Sequence, residues 1–271
     1  MKFAPLNYLL PIAMISAIGL SACASAPQQR TSPAVSATAA TPVPALNPVA
    51  DKANPIAADS VAAGSLGTLD DRYTRLGATG GRLFKLDPAQ SDLRIYAFRA
   101  GSSRQLGHNH ILSAPRFLGY FWLSPTGMDT SRFELEFNLD ALVFDSPALR
   151  AQTGESFASN ISPGFVEATR QHMLEDASFA AKQFPKVLVQ SLRIAGESPK
   201  YAVQINLQMH GQQRDLWVPL TVKGLPGALT ISGSFVFSQS DFGVKAYSIL
   251  GGLLQVQDAV VVEFTLIGTT L

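Results

Sequence analysis

The chain has 271 residues, of which 46% are hydrophobic and 15% charged, well below the roughly 25% of an average soluble domain. Its 21 basic residues nearly balance 20 acidic ones, so the net charge of +1 offers no field to gather a phosphate polymer, and nucleic acid is excluded as the expected partner. A single cysteine excludes an internal disulfide framework, and stability must come from a packed core.

The chain opens on Lys2 and the apolar stretch "YLLPIAMISAIGL", which is too short to cross a bilayer comfortably and has the layout of an export signal, predicted over residues 1–22. "LSAC" at 20–23 resembles a bacterial lipoprotein lipobox, with small Ser21 and Ala22 before Cys23. The resemblance implies a lipid anchor at Cys23, with three acyl chains where two signals suffice for stable anchoring. Ala24 in place of an aspartate implies delivery to the outer membrane, facing the periplasm. From Cys23 to Arg82 the text is rich in Ala, Pro, Ser and Thr and cannot bury enough apolar surface to offset its ordering entropy. It is predicted to be a disordered linker with a reach of roughly 40 Å. A short helix is allowed around "VAAGSLGTLDDRYTRLG", although Gly64, Gly67 and Gly77 argue against a long one.

From Leu83 to Leu271 the pattern becomes that of short strands. "DLRIYAFR" and "PRFLGYFWL" come first, and then "RFELEFNLDALVF" sets Phe133, Leu135, Phe137, Leu139, Ala141 and Val143 against Glu134, Glu136, Asn138 and Asp140. Two helical interruptions follow, each with a serine N-cap and a proline at the first helical position: Ser146–Pro147 and Ser162–Pro163. In the second, Phe165, Thr169 and Met173 share a face, flanked by Val166 and Leu174. "KVLVQSLRI", "YAVQINLQM", "DLWVPLTV", "TISGSFVFS" and "AVVVEFTLIG" complete the strands, with "GESPK", "HGQQ" and "GLPG" as turns. Tyr201, Val203, Ile205, Leu207 and Met209 fall on one face of their strand. About eight antiparallel strands in under 200 residues predict an all-β closed barrel or a sandwich. The helical insertion is placed to cover one mouth.

"LGHNHIL" at 106–112 carries two of the four histidines at positions that share a face of an extended chain. His108 and His110 would supply only two of the three or four protein ligands a zinc site requires, and Glu155, Glu167 or Asp241 would have to complete it. "GESFAS" lacks the closing glycine of a nucleophile elbow, and "GATGGRLFK" lacks the Lys-Ser or Lys-Thr of a phosphate loop. No catalytic residue and no cofactor are assigned. Arg94, Arg99, Arg104 and Arg116 near the first strands are read as solvated edges or as partners of an anionic head group.

The order "GHNH", "GYFWL", alternating strand, helical insertion ending in "FPKVLVQS", "LQMHGQQRDLWVPL" and "FSQSDFGVKAYSILGGLLQVQDAVVVEFTL" resembles the YceI-like proteins over residues 83–271. The resemblance implies a lipocalin-like antiparallel barrel that holds a polyisoprenoid or isoprenoid-quinone type amphiphile along its axis. "LDPAQSDLRIY" has Gln90 and Ser91 where many members carry a His-Ser pair, which with "GHNH" marks a variant subgroup. On this reading Phe98, Phe117, Trp122, Phe144, Phe165 and Phe242 are the expected ligand contacts, and Tyr120, Trp217, Phe235 and Phe237 the other aromatic candidates. His108 and His110 would bind the polar head at the mouth. The expected function is a membrane-tethered lipid-binding protein. The alternatives are a metal-dependent envelope enzyme using His108 and His110, and an interaction lipoprotein with a filled barrel.

Overall fold

Alternating apolar and polar side chains make each strand a two-faced ribbon, and in this chain eight lanes of such ribbon curl until their edges meet. The computed structural model describes residues 67–271, so the export signal, Cys23 and most of the expected linker lie outside the described residues. The elements in order are α1 (Leu69–Gly77), β1 (Arg82–Leu86), β2 (Asp92–Ala100), β3 (His110–Ser113), β4 (Leu118–Ser124), β5 (Gly127–Asn138) and β6 (Val143–Phe144). Then come α2 (Pro147–Thr153), α3 (Pro163–Leu174), β7 (Lys186–Glu197), β8 (Lys200–Met209), β9 (Gln212–Lys223), β10 (Leu229–Ser238), β11 (Ser248–Ile249) and β12 (Leu254–Thr270).

Strand order β1-β4-β5-β7-β8-β9-β10-β12, with β12 returning to β1, closes an antiparallel barrel of eight strands. Closure depends on the length of β12. Its last residues pair with β1, Leu86 opposite Gly268, while its earlier part pairs with β2, from Asp92 opposite Thr265 to Ala100 opposite Gln255. β1 and β2 thus occupy one lane, broken at residues 87–91, where Ser91 Oγ donates to the Asp87 carbonyl and accepts from Ile267 N–H. β3 and β4 share the next lane, and β6 extends the lane of β5, since β3 pairs with β2 and β6 while β4 pairs with β1 and β5.

The expected alternation holds along β5 through Leu139, but a turn of 3-10 helix at Leu139–Ala141 shifts the parity. Leu142 consequently takes the buried position and Val143 is exposed. Both serine–proline helix starts are present: Ser162 Oγ caps Phe165 N–H in α3, whereas the Ser146 side chain makes no cap bond. In α3 the face that packs on the core is Val166, Met173 and Leu174, and Phe165 is turned outward.

Within the expected linker, bounded at Arg82, the described residues include a helix. Thr68 and Asp71 form a reciprocal capping box that starts α1, and Leu69 and Tyr73 are buried against Tyr120 and Trp122 on the outer face of β4. Arg72 pairs with Glu134, and Tyr120 donates to Asp70. The helix thus covers an apolar patch that the barrel would otherwise expose, an amphipathic pairing hidden by the small residues that precede it. Tyr73 stacks on Tyr120 with ring centroids 5.2 Å apart, yet its hydroxyl is buried without a hydrogen-bond partner among the described residues. Burial, with the Glu134 charge second, pushes that phenol far above its ordinary range.

An unpartnered buried hydroxyl costs about 1–3 kcal/mol, while the ring contributes packing. Urea denaturation should therefore show Tyr73→Phe equal to or more stable than the parent, and Tyr73→Ala less stable by about 3–5 kcal/mol. An alanine variant with an unchanged midpoint would remove α1 from the folded unit.

Candidate functional site

The inward side chains of every lane enclose a bore. It encloses a cavity of about 150 Å³. Leu93, Ile95 and Ala97 of β2, the five alternating residues Tyr201 to Met209 of β8, and Val260 to Leu266 of β12 supply much of the wall. Met173 of α3 and Phe179 join it from the insertion. Only Tyr201 and Gln239 among the lining residues carry polar side-chain atoms, and the Gln239 amide donates to the Gln257 carbonyl at 2.9 Å.

The expected aromatic contacts are displaced from this wall. Phe98 faces outward and packs with Tyr96, Ile111 and Phe157 beneath Leu149 of α2. Trp122 is also on the outer face, under α1, with its indole N–H donating to the Gly80 carbonyl at 2.8 Å. Phe144 and Phe242 are buried in the main core without lining the bore, Phe117 is half-buried against that core, and Phe165 is exposed. Phe235 and Phe237, the other candidates with Trp217 and Tyr120, do line the bore, whereas Trp217 is exposed and Tyr120 packs under α1. For Phe98 and Trp122 the physical reason is strand parity: aromatic identity says nothing about which of the two faces of a strand is inside.

His108 and His110 do not line the bore either, but the register places His110 directly opposite Ala97 and so on the inner face, one step past the wall. Its Nδ1 donates to Asp145 Oδ2 at 2.6 Å. The other oxygen of Asp145 accepts from Ile111 N–H at 3.1 Å and from Arg150 Nη1 at 2.6 Å. Arg150 reaches further, to the Asn109 carbonyl at 2.8 Å, Ser159 Oγ at 3.0 Å and the Ser159 carbonyl at 3.2 Å. His108 Nδ1 lies 3.3 Å from the same Ser159 hydroxyl. Asn109, between the two histidines, is buried and ties Arg99 N–H to the Ser156 carbonyl through its amide.

This is one connected network between β3 and the insertion. The Asp145 side chain is fully buried and that of Arg150 nearly so. Burial opposes ionisation of Asp145, but hydrogen bonds and charge from His110, with Ile111 N–H and Arg150, outweigh it and hold the carboxyl below its ordinary value. His108 moves down, chiefly through burial and then through the nearby His110 and Arg150 charges. Sequence reading missed Asp145 and Arg150. Asp145 takes a left-handed φ of 48° immediately before the Ser146–Pro147 helix start, and that start was the sole sequence sign of a fixed backbone at this acid. Among the described residues, no group of three or more His, Cys, Asp or Glu side chains is placed to hold a metal ion.

A closed antiparallel barrel with an apolar bore and a helical insertion defines a lipocalin-like container. A YceI-like domain is matched over residues 84–267, and the chain belongs to that family. Its structure is similar to the crystal structure of BcnA from Burkholderia cenocepacia, with 18% identity over 68% of this chain and 99% of that one and a TM-score of 0.51, a likeness of fold alone. A polyisoprenoid binding domain from Saccharophagus degradans, implicated in plant cell wall breakdown, aligns at 15% identity over 69% of this chain and 98% of that one, with a TM-score of 0.46. YceI from Campylobacter jejuni aligns at 11% identity, covering 59% and 84% of the two chains, with a TM-score of 0.41. No curated protein matches the chain.

Removing the Asp145 charge strands a buried guanidinium, which costs about 3–5 kcal/mol. The carboxyl ionises more readily folded than unfolded, so its contribution is complete above the unfolded value near 4 and is lost as pH falls through the lower folded value. Denaturation curves across an acid series should show this loss below about pH 4 in the parent. Asp145→Asn should be destabilised at neutral pH and lack that acid-dependent step; equal midpoints at pH 7 would mean that the network does not hold the insertion.

Proposed function

We propose that the protein is an envelope lipoprotein that binds a long isoprenoid-type amphiphile in the barrel bore, shielding or carrying it without catalysing a reaction. The observation that carries this reading is the apolar lining of the bore. Each buried methylene contributes about 0.8 kcal/mol, so a flexible hydrocarbon tail gains affinity along the whole passage. Lining residues without a nucleophile or a carboxyl group suit retention, not chemistry. The unfilled space argues against a barrel packed solid by its own side chains, and the metal-enzyme reading lacks a third ligand among the described residues.

The export-signal pattern and Cys23 support a periplasm-facing tether at the outer membrane. At the end of the bore, Asp145 fixes Nδ1 of His110 as the hydrogen-bond donor. Nε2 is then the atom that meets a head group, accepting from a hydroxyl when the ring is neutral. His108, beside Ser159, stands next to it.

Mass spectrometry of the organic extract from natively purified protein should find about one isoprenoid-type lipid per chain. Ile205→Trp, which fills the bore from the middle of β8, should lose most of that lipid while keeping the β-sheet circular dichroism spectrum. A parent protein that is empty when purified from its own envelope would overturn the proposal. With lipids sharing one tail and differing in head group, His110→Gln should reduce the preference for a hydroxyl head about tenfold, the value of one hydrogen bond of roughly 1.4 kcal/mol; an unchanged preference would remove His110 from head-group recognition.

A further inference from the structure

Six of the eleven large hydrophobic residues exposed on the described part of the protein fall in three segments: Leu106, Phe165, and the group Tyr247, Ile249, Leu250 and Leu253. These segments meet at one end of the barrel. Ser103 N–H donates to the Leu253 carbonyl at 2.9 Å, joining the β2–β3 loop to the segment before β12. The His172 and Tyr247 rings are 5.6 Å apart, joining that segment to α3, and the His108 and Phe165 rings are 5.7 Å apart, joining α3 to the β2–β3 loop. The same elements contribute Ala97, Met173 and Val260 to the wall, so the apolar rim surrounds the end of the bore.

Leu106 is 71% exposed and Leu250 is 70% exposed. Leu250 also takes a φ of 52°, a backbone region that a bulky side chain adopts at a cost. A solubility-driven surface would place glycine or asparagine there. The two loop segments of the rim carry only positive charge: no acid occurs between Asp92 and Asp129 or between Asp241 and Asp258, while Arg99, Arg104 and Lys245 fall within those stretches. On α3 the acids Glu167 and Glu175 lie beside Arg170 and His172.

We infer that this rim docks onto an anionic lipid bilayer, with Leu106, Leu250 and Leu253 entering the head-group boundary and Arg104 and Lys245 facing lipid phosphates. Exposed apolar tips flanked by cations match such a surface in both respects. A protein partner would have to be acidic as well as apolar. Docking would put the bore end against the hydrocarbon from which an isoprenoid tail must come, so that the tail need not cross water. The inference rests on the carrier reading and adds the route of entry.

The test uses the intact acylated protein, anchored in vesicles of phosphatidylethanolamine and phosphatidylglycerol that contain spin-labelled lipid. An environment-sensitive fluorophore is attached to the thiol of Leu106→Cys or Leu253→Cys on the rim, or of Trp217→Cys on the barrel wall. Rim labels should be quenched several-fold more strongly than the wall label, and Arg104→Glu with Lys245→Glu should lower the docked fraction by roughly tenfold or more. Rim labels that remain in water, or quenching equal at all three positions, would overturn the inference. So would a blue shift at Leu106→Cys that grows with protein concentration without vesicles, which would assign the rim to a second copy. The lipid content of the same samples reports on the carrier reading separately: lipid present with unquenched rim labels defeats docking alone, and quenched rim labels with no lipid defeat the carrier reading alone.

Discussion

Everything in this protein depends on the return of β12 to the first lane of the sheet. An antiparallel sheet leaves a row of unpaired N–H and C=O groups at each edge, and β12 satisfies them on both sides, against β10 along one edge and against β2 and β1 along the other. Once the ring is closed, half of every lane must face the axis. The alternation written into β5, β8 and β12 then ceases to be a local preference and becomes the wall of a bore.

The breaks in three lanes follow from the same closure. β1 with β2, β4 with β3, and β5 with β6 each change partner or direction part-way along, and the bond between Ser91 and Ile267 takes up the backbone donor left at the first break. Beyond these breaks β6 has no neighbour on its outer side in the strand order. The long insertion before β7 begins there, and the Asp145–Arg150 pair ties its first helix to β3. A buried ion pair is a poor way to add stability, since desolvating the two charges offsets most of their attraction. It is a good way to hold one pose, because a shifted insertion would leave both charges unpaired.

Fold and site were legible to different degrees, for a reason of symmetry. Period-two alternation and turn residues announce strands, and the face holding Tyr201 to Met209 was identified in full because its partners Gln204, Asn206 and Gln208 are polar. Where both faces are apolar, as in "GYFWL" and "LRIYAF", the pattern does not choose between them. Phe98 and Trp122 were placed inside for that reason, although α1 and α2 cover the outer faces that they occupy. Tertiary cover thus imitates core in the sequence. The polar network was illegible for the opposite reason, since Asp145 and Arg150 are ordinary surface residue types until the chain buries them.

The division of labour between the bore and its end follows from how the two kinds of force depend on direction. Hydrophobic burial is nearly indifferent to where each methylene lies, so under the proposed function the apolar bore would retain tails of many lengths and branchings and distinguish them poorly. Selection needs groups that lose a bond when the wrong partner arrives. In the described structure such groups adjoining the wall are few: His110, held by a carboxylate that is itself held by an arginine and a backbone amide, is the best anchored of them. Under the proposed function, a group locked in this way could not turn to suit a different head, which would convert a single hydrogen bond into discrimination.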